Sequence, residues 1–183
     1  MKASSAYISG IIVLEPRVFV DERGFFFESY NKNTLAALGI DVSFVQDNHS
    51  LSRRGTLRGI HYQVKNPQAK LVRVISGEVL DVVVDLRRSS PTFGRWFSLT
   101  LSASNKLQIY IPPGFGHGFL TLSQMAEVLY KASDFYAPEY ERCIRWDDPD
   151  LAINWPFDGE RIISEKDATG SFFREADLPA QDA

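Results

Sequence analysis

At 183 residues, with 44% hydrophobic and 23% charged side chains, the chain has the size and composition of one soluble globular domain. A net charge of −3 argues against a general nucleic-acid binder, and the single cysteine, Cys143, excludes an internal disulfide and a cysteine-based metal centre. No apolar run approaches the roughly 18 residues of a membrane span, and the first ten residues lack the apolar core of a secretion signal, so the expected setting is a reducing cytoplasm.

In chain order, residues 8–14 and 18–20 have the pattern of short strands broken at Glu15-Pro16, and 21–24 is a turn. Residues 25–30 form a strand with aromatics on both faces. Residues 31–38 are the clearest helix, with Asn31 or Asn33 as cap and Gly39 as stop. Strands are expected at 44–49 and 57–63. Residues 71–75 and 79–86 are expected to pair as a hairpin, with Val82-Val83-Val84 buried on both faces. Further strands fall at 93–101, 107–111, 118–122 and 126–134. After Tyr136 the chain turns polar, with a loop at 147–156 and a poorly ordered tail from 172. Many short strands punctuated by Gly and Pro, with one clear helix, predict a single all-β sandwich or barrel. Neither a G-x-G-x-x-G nor a phosphate-loop motif occurs, which removes the usual nucleotide-cofactor readings.

Residues 44–70 are densely polar inside strand-like patterns. They hold His49 and His61, five Lys/Arg, and Gln46, Asn48, Gln63 and Gln68. Polar groups at such positions need hydrogen-bond partners or a ligand, which points to a lined cavity. Between Arg53 and Arg88 eight Lys/Arg face three acids, an excess that suits an anionic small ligand. Arg58 and His61 are three apart and would face opposite ways on a regular strand; Gly59 between them permits a bulge that brings both inward.

The turn Pro112-Pro113-Gly114 fixes His117 near the start of a strand. The pattern P-x-G-x-x-H resembles the second motif of cupins, but the metal-binding first motif is reduced to His61-Tyr62-Gln63. A dedicated metal site is therefore not expected, and His61 and His117 become acid–base candidates. By parity Tyr130 and Tyr136 share a strand face and reach the cavity as possible proton donors. Asp81 and Asp85 share another face, either to orient a base or to bond Arg87 and Arg88. Cys143 reads as a small core residue.

The stretches 21–30, 44–50, 57–63, 68–74, 77–87, 90–94, 111–119, 129–131, 146–149 and 164–168, in order, resemble the dTDP-4-dehydrorhamnose 3,5-epimerase family. The resemblance covers roughly residues 8–168, leaving 169–183 as a tail. It implies a cupin-type jelly roll (double-stranded β-helix) with a few short helices. It also implies a cofactor-free, metal-free homodimer acting on a dTDP-4-keto-6-deoxyhexose in deoxysugar biosynthesis. Residue by residue, it implies His61 as the base beside the C4 ketone, Asp167 as its orienting partner and Tyr130 as the opposite-face acid. Lys70, with His117 beside it, would stabilise the enolate. Arg58 would hold the diphosphate, with Gln46 and Asn48 along the nucleotide and sugar; Tyr136, placed at the cavity by parity, is counted with these substrate-binding residues. Arg23, Phe26 and Glu28 would reach across from the second subunit. Phe135 stands where many relatives carry a second Tyr, and by parity faces away from Tyr130.

The leading expectation is inversion at C3 and C5. Its rivals are a single-centre epimerase, a non-catalytic sugar-nucleotide binder and a metal-dependent cupin enzyme.

Overall fold

A computed structural model describes residues 1–179 of the chain. The strands are β1 (Lys2–Ser5), β2 (Ile12–Glu15), β3 (Phe19–Asp21), β4 (Gly24–Phe26), β5 (Gln46–Arg53), β6 (Leu57–Gln63), β7 (Lys70–Ser76), β8 (Glu78–Asp85), β9 (Trp96–Ser102), β10 (Gln108–Ile111), β11 (Phe115–Thr121), β12 (Met125–Ala132) and β13 (Glu141–Cys143). Two short helices accompany them, α1 (Lys32–Ala37) and α2 (Glu165–Ala168). A six-stranded sheet runs β1-β2-β10-β7-β12-β5 and a five-stranded sheet runs β13-β6-β11-β8-β9. Their strand pairs are antiparallel, and β3 with β4 forms a separate two-stranded ribbon. This is the cupin-type jelly roll that the resemblance implied.

The two sheets face each other across an apolar layer. Val72, Val74 and Val128 of one meet Val79, Val83 and Phe119 of the other. The period of two along β8 sends Val83 into this layer and Val82 and Val84 to the outer side, under Leu151 and Trp155. Each such fully buried side chain contributes about 1.5–3 kcal/mol. On the far side of the six-stranded sheet, α1 and its flanks cover Leu14, Leu71 and Tyr110 with Leu35 and Ile40. Asn31 caps α1, its side chain accepting from the backbone N–H of Asn33 and Thr34.

Three expectations are corrected. The residues expected to form a hairpin across 71–86 lie in different sheets: β7 pairs with β10 and β12, whereas β8 pairs with β9 and β11. Gly77 (φ +74°) is a corner between sheets, and a Cβ there would meet the Met125 carbonyl at 2.0 Å. The aromatic run 25–30 is paired only as far as Phe26, where β4 ends, and Phe25 and Phe26 are exposed. The C-terminal segment docks as far as it is described. Ser171 bridges to Ile144, Phe173–Glu175 forms a 3-10 turn, and the Asp177 carbonyl accepts from the Tyr62 hydroxyl at 2.8 Å. Only the last four residues of the expected loose tail lie outside the described residues.

Candidate active site

A cavity of about 350 Å³ opens between the two sheets. Gln46, Asn48 and Ser50 of β5, Lys70 of β7 and Tyr130 of β12 line it from the six-stranded sheet. Arg58, His61 and Gln63 of β6, His117 of β11 and Glu141 of β13 line it from the five-stranded sheet. Alternation on β5 turns residues 46, 48 and 50 inward, and it turns His49 outward, where it meets Glu127 at 2.9 Å. His49 is thereby removed from the chemistry.

The expected bulge is present on β6. His61 sits opposite His117, but Arg58 sits opposite Phe119, three residues against two. Gly59 carries the irregularity at φ +115°, where a Cβ would lie 2.5 Å from the Gly118 Cα and 2.7 Å from the His117 carbonyl. Only glycine allows the two strands to approach this closely, and the added residue brings both Arg58 and His61 to the cavity.

His61 Nε2 is 2.5 Å from Asp167 Oδ1. Burial alone would raise the Asp167 carboxyl. The bond and charge of His61, with the Ser164 hydroxyl and the Gly59 N–H, outweigh that and hold it below the usual range. An ionised carboxylate only accepts, so the proton of this bond sits on Nε2, and in the neutral ring Nδ1 is the nitrogen left to act as base. Ser164 caps α2 and thereby sets Asp167 in place. A second pair, His117 Nε2 with Asp81 Oδ2 at 2.8 Å, is wholly buried. Asp85 takes the other sequence option, bonding Arg87, Ser90 and Thr92.

Loss of water lowers the Lys70 ammonium to about 8, opposed by the charges of Asp81 and Glu141. Lys70 enters none of the ion pairs among the described residues. The Tyr130 phenol is raised by burial, with Arg58 opposing and Glu141 adding, so it is a protonated donor at neutral pH. Tyr136 donates to Glu141 at 2.5 Å, and that bond pushes its phenol to about 12. Glu141 also pairs with Lys166 of α2.

Among the described residues, one group of metal-capable atoms comes together: His61, Cys143 and Asp167, all within 4.8 Å of one another. Cys143 is half-buried beside the dyad rather than in the core, with Sγ 3.8 Å from Asp167 Oδ1. Burial first, then Asp167, pushes its thiol to about 12, which keeps it protonated. The 2.5 Å bond leaves no space for an ion between His61 and Asp167, which fits an orienting hydrogen bond better than a metal centre.

Of the residues singled out from sequence, His61, Lys70, Tyr130, Gln46, Asn48, Arg58, His117 and Tyr136 line one cavity, and Asp167 bonds His61 from behind. Arg23, Phe26 and Glu28 do not line it. Arg23 bonds Asp21, Phe26 is 70% exposed on β4, and Glu28 accepts from Asn31 and Thr34. Glu141 was missed because nothing in its neighbourhood marks it; only the pairing of β13 with β6, which sets Glu141 opposite Gln63, brings it in.

A profile of the family described as dTDP-4-dehydrorhamnose 3,5-epimerase matches residues 5–175. A dTDP-4-dehydrorhamnose 3,5-epimerase of Pseudomonas aeruginosa is 59% identical over 178 residues, 97% of this chain and 98% of that protein. The crystal structure of the Legionella pneumophila dTDP-6-deoxy-D-glucose-3,5-epimerase with dTDP-4-keto-L-rhamnose superposes with a TM-score of 0.96 at 46% identity, covering 100% and 99% of the chains. A 3'-monoepimerase from Streptomyces bikiniensis, in complex with dTDP-quinovose, superposes at 0.89 with 38% identity, covering 95% and 91%. On the breadth of the family match and the identity along almost the whole chain, this protein belongs to the dTDP-4-dehydrorhamnose 3,5-epimerase family.

Proposed function

We propose that the protein is a cofactor-independent epimerase that converts dTDP-4-dehydro-6-deoxy-D-glucose to dTDP-4-dehydro-L-rhamnose by inverting C3 and C5. The observation that carries this reading is an imidazole bonded to a carboxylate and a protonated phenol, His61 and Tyr130, presented from facing sheets across one cavity. Removal and return of a proton by one group would restore the original configuration; a donor on the opposite wall inverts it.

In this reading His61 Nδ1 takes the proton from the carbon beside the C4 ketone. The electron pair moves onto the ketone oxygen, where the Lys70 ammonium stabilises the enolate, while His117, bonded to Asp81, lines the same cavity. One such fixed donor is worth about 2.7–4 kcal/mol. Tyr130 then protonates the opposite face. Solvent removes the proton from His61 and restores the Tyr130 phenol before the second centre reacts. Asp167 holds the Nε2–H tautomer and stabilises the imidazolium. Arg58 grips the diphosphate at the exposed end of the cavity, since its fork matches phosphate oxygens in pairs. Gln46, Asn48 and Tyr136 line the path of the nucleotide and sugar.

Arg23, Phe26 and Glu28 act in the cavity of a second copy. Their exposure supports this, as does the apolar surface around them formed by Phe19, Val20 and Phe25. The proposed assembly is a homodimer, readable by light scattering. No described helix is long and apolar enough to cross a membrane, and the proposed location is the cytoplasm.

The 3'-monoepimerase of the same fold favours one rival, inversion at a single centre. Turnover of dTDP-4-keto-6-deoxyglucose in deuterated water decides between them. Deuterium at C3 and C5 of an L-rhamno product supports the proposal, and deuterium at one carbon overturns it. Activity retained in EDTA is also expected; loss restored by one added metal would favour the metal-dependent rival.

A further inference from the structure

The segment 134–137 lies in the connection from β12, which carries Tyr130, to β13, which carries Glu141, just ahead of a 3-10 turn at Pro138–Tyr140. Of its residues Tyr136 lines the cavity, and apolar anchorage is slight, since Phe135 is 66% and Tyr136 50% exposed. Its backbone is held instead by three glutamine amides. Gln68 Nε2 donates to the Asp134 carbonyl at 2.8 Å. Gln63 Nε2 donates to the Asn66 carbonyl at 2.7 Å and to the Phe135 carbonyl at 3.5 Å, while its Oε1 accepts from Ala137 N–H at 2.9 Å. Gln46 Oε1 accepts from Tyr136 N–H at 2.9 Å. Four consecutive residues thus each give a backbone group to a side-chain amide. Glutamine suits this because it offers a donor and an acceptor on one short plane; Glu keeps only the acceptor, and Met has no donor and only a weak thioether acceptor.

We propose that Gln63, with Gln68, is a positioning residue for Tyr136: it fixes the 134–137 segment so that the phenol stands at the cavity mouth, and it acts on substrate capture rather than on proton transfer. Gln63 is the better placed of the two. It is 5% exposed, it lies two residues beyond His61 on the same face of β6, and it reaches the segment from both directions. Asp167 reaches His61 from α2, and none of the glutamine bonds to 134–137 involves His61 or Asp167.

This inference rests on Tyr136 contacting substrate. The test is a double-mutant cycle of Gln63→Met and Tyr136→Ala, with Gln63→Glu as the conservative variant. Each is read as KM and kcat for solvent exchange on dTDP-4-keto-6-deoxyglucose. Expected for Gln63→Met is a KM about tenfold higher with kcat within about twofold, as removal of ground-state binding requires. Gln63→Glu should recover part of the loss, and the Gln63→Met/Tyr136→Ala pair should be no worse than Tyr136→Ala alone. Hydrogen exchange at the Tyr136 and Ala137 amides, measured without substrate, should quicken in Gln63→Met while the strand amides of β6 and β11 stay protected. Unchanged exchange at those amides, an additive cycle, or kcat falling as far as KM rises would overturn the proposal. A wild-type protein that does not exchange this substrate would overturn the functional reading itself, and the amide exchange would still judge the clamp.

Discussion

Asp167→Asn isolates the orienting bond, because the amide preserves size in a site where the carboxylate is 3% exposed. Two effects follow. The amide no longer demands a proton on Nε2, so the tautomer with a bare Nδ1 loses its advantage. The imidazolium formed on proton abstraction also loses its counter-charge. At about 4 Å between charge centres and an effective dielectric near 20, that interaction is about 4 kcal/mol. The remaining amide dipole retains part of it, leaving about 2–4 kcal/mol. At ~1.4 kcal/mol per decade, proton abstraction should slow by roughly 30- to 1,000-fold. The assay is the initial rate of deuterium incorporation from solvent, followed by NMR at saturating substrate, with circular dichroism to verify folding. Exchange within threefold of wild type would refute the argument that Asp167 sets the base. Stability gives a second reading. The folded carboxyl lies below its ordinary 3.8, so its stabilising contribution is complete above that value and is lost as pH falls through the folded pKa. The wild-type advantage over Asp167→Asn should therefore shrink as pH falls through the folded carboxyl pKa.

Lys70 gives a prediction on the alkaline side: kcat/KM should fall above about pH 8 as the ammonium deprotonates, and Lys70→Met should lose both the activity and that limb. Because its folded value lies below the ordinary 10.5, burial of this charge penalises folding below about 8, and the penalty is relieved as pH rises toward 10.5. Denaturant titrations of wild type and Lys70→Met should converge in that window; a constant difference counts against a buried ammonium. Gly59→Ala should destabilise by about 3–5 kcal/mol, combining strain at φ +115° with a backbone clash at 2.5 Å, and a melting temperature within a degree of wild type would contradict the bulge geometry.

Much of the site was legible because strand parity and glycine are local signals. The mismatch between Arg58 and His61 forced attention onto Gly59, and the bulge is where that reasoning put it. What was not legible depended on which strands meet. The residues on either side of Gly77 have the spacing of a hairpin, yet the turn passes between two sheets, and local pattern does not distinguish a hairpin from a corner. Asp167 lies 106 residues from His61 and entered only through family resemblance. Glu141 was not found at all, since its place at the cavity comes from the pairing of β13 with β6. The glutamines were visible as polar residues in strand patterns, but their partners are backbone groups of a distant segment that no side-chain pattern announces.

The central claim is that base and acid act from opposite walls, and Tyr130→Phe in deuterated water tests it most directly. With His61 and Asp167 intact, the variant should still exchange substrate protons for deuterium while inversion falls by at least about 100-fold, the lower range for a lost general acid. Exchange and inversion lost in equal measure, or inversion retained, would contradict the account.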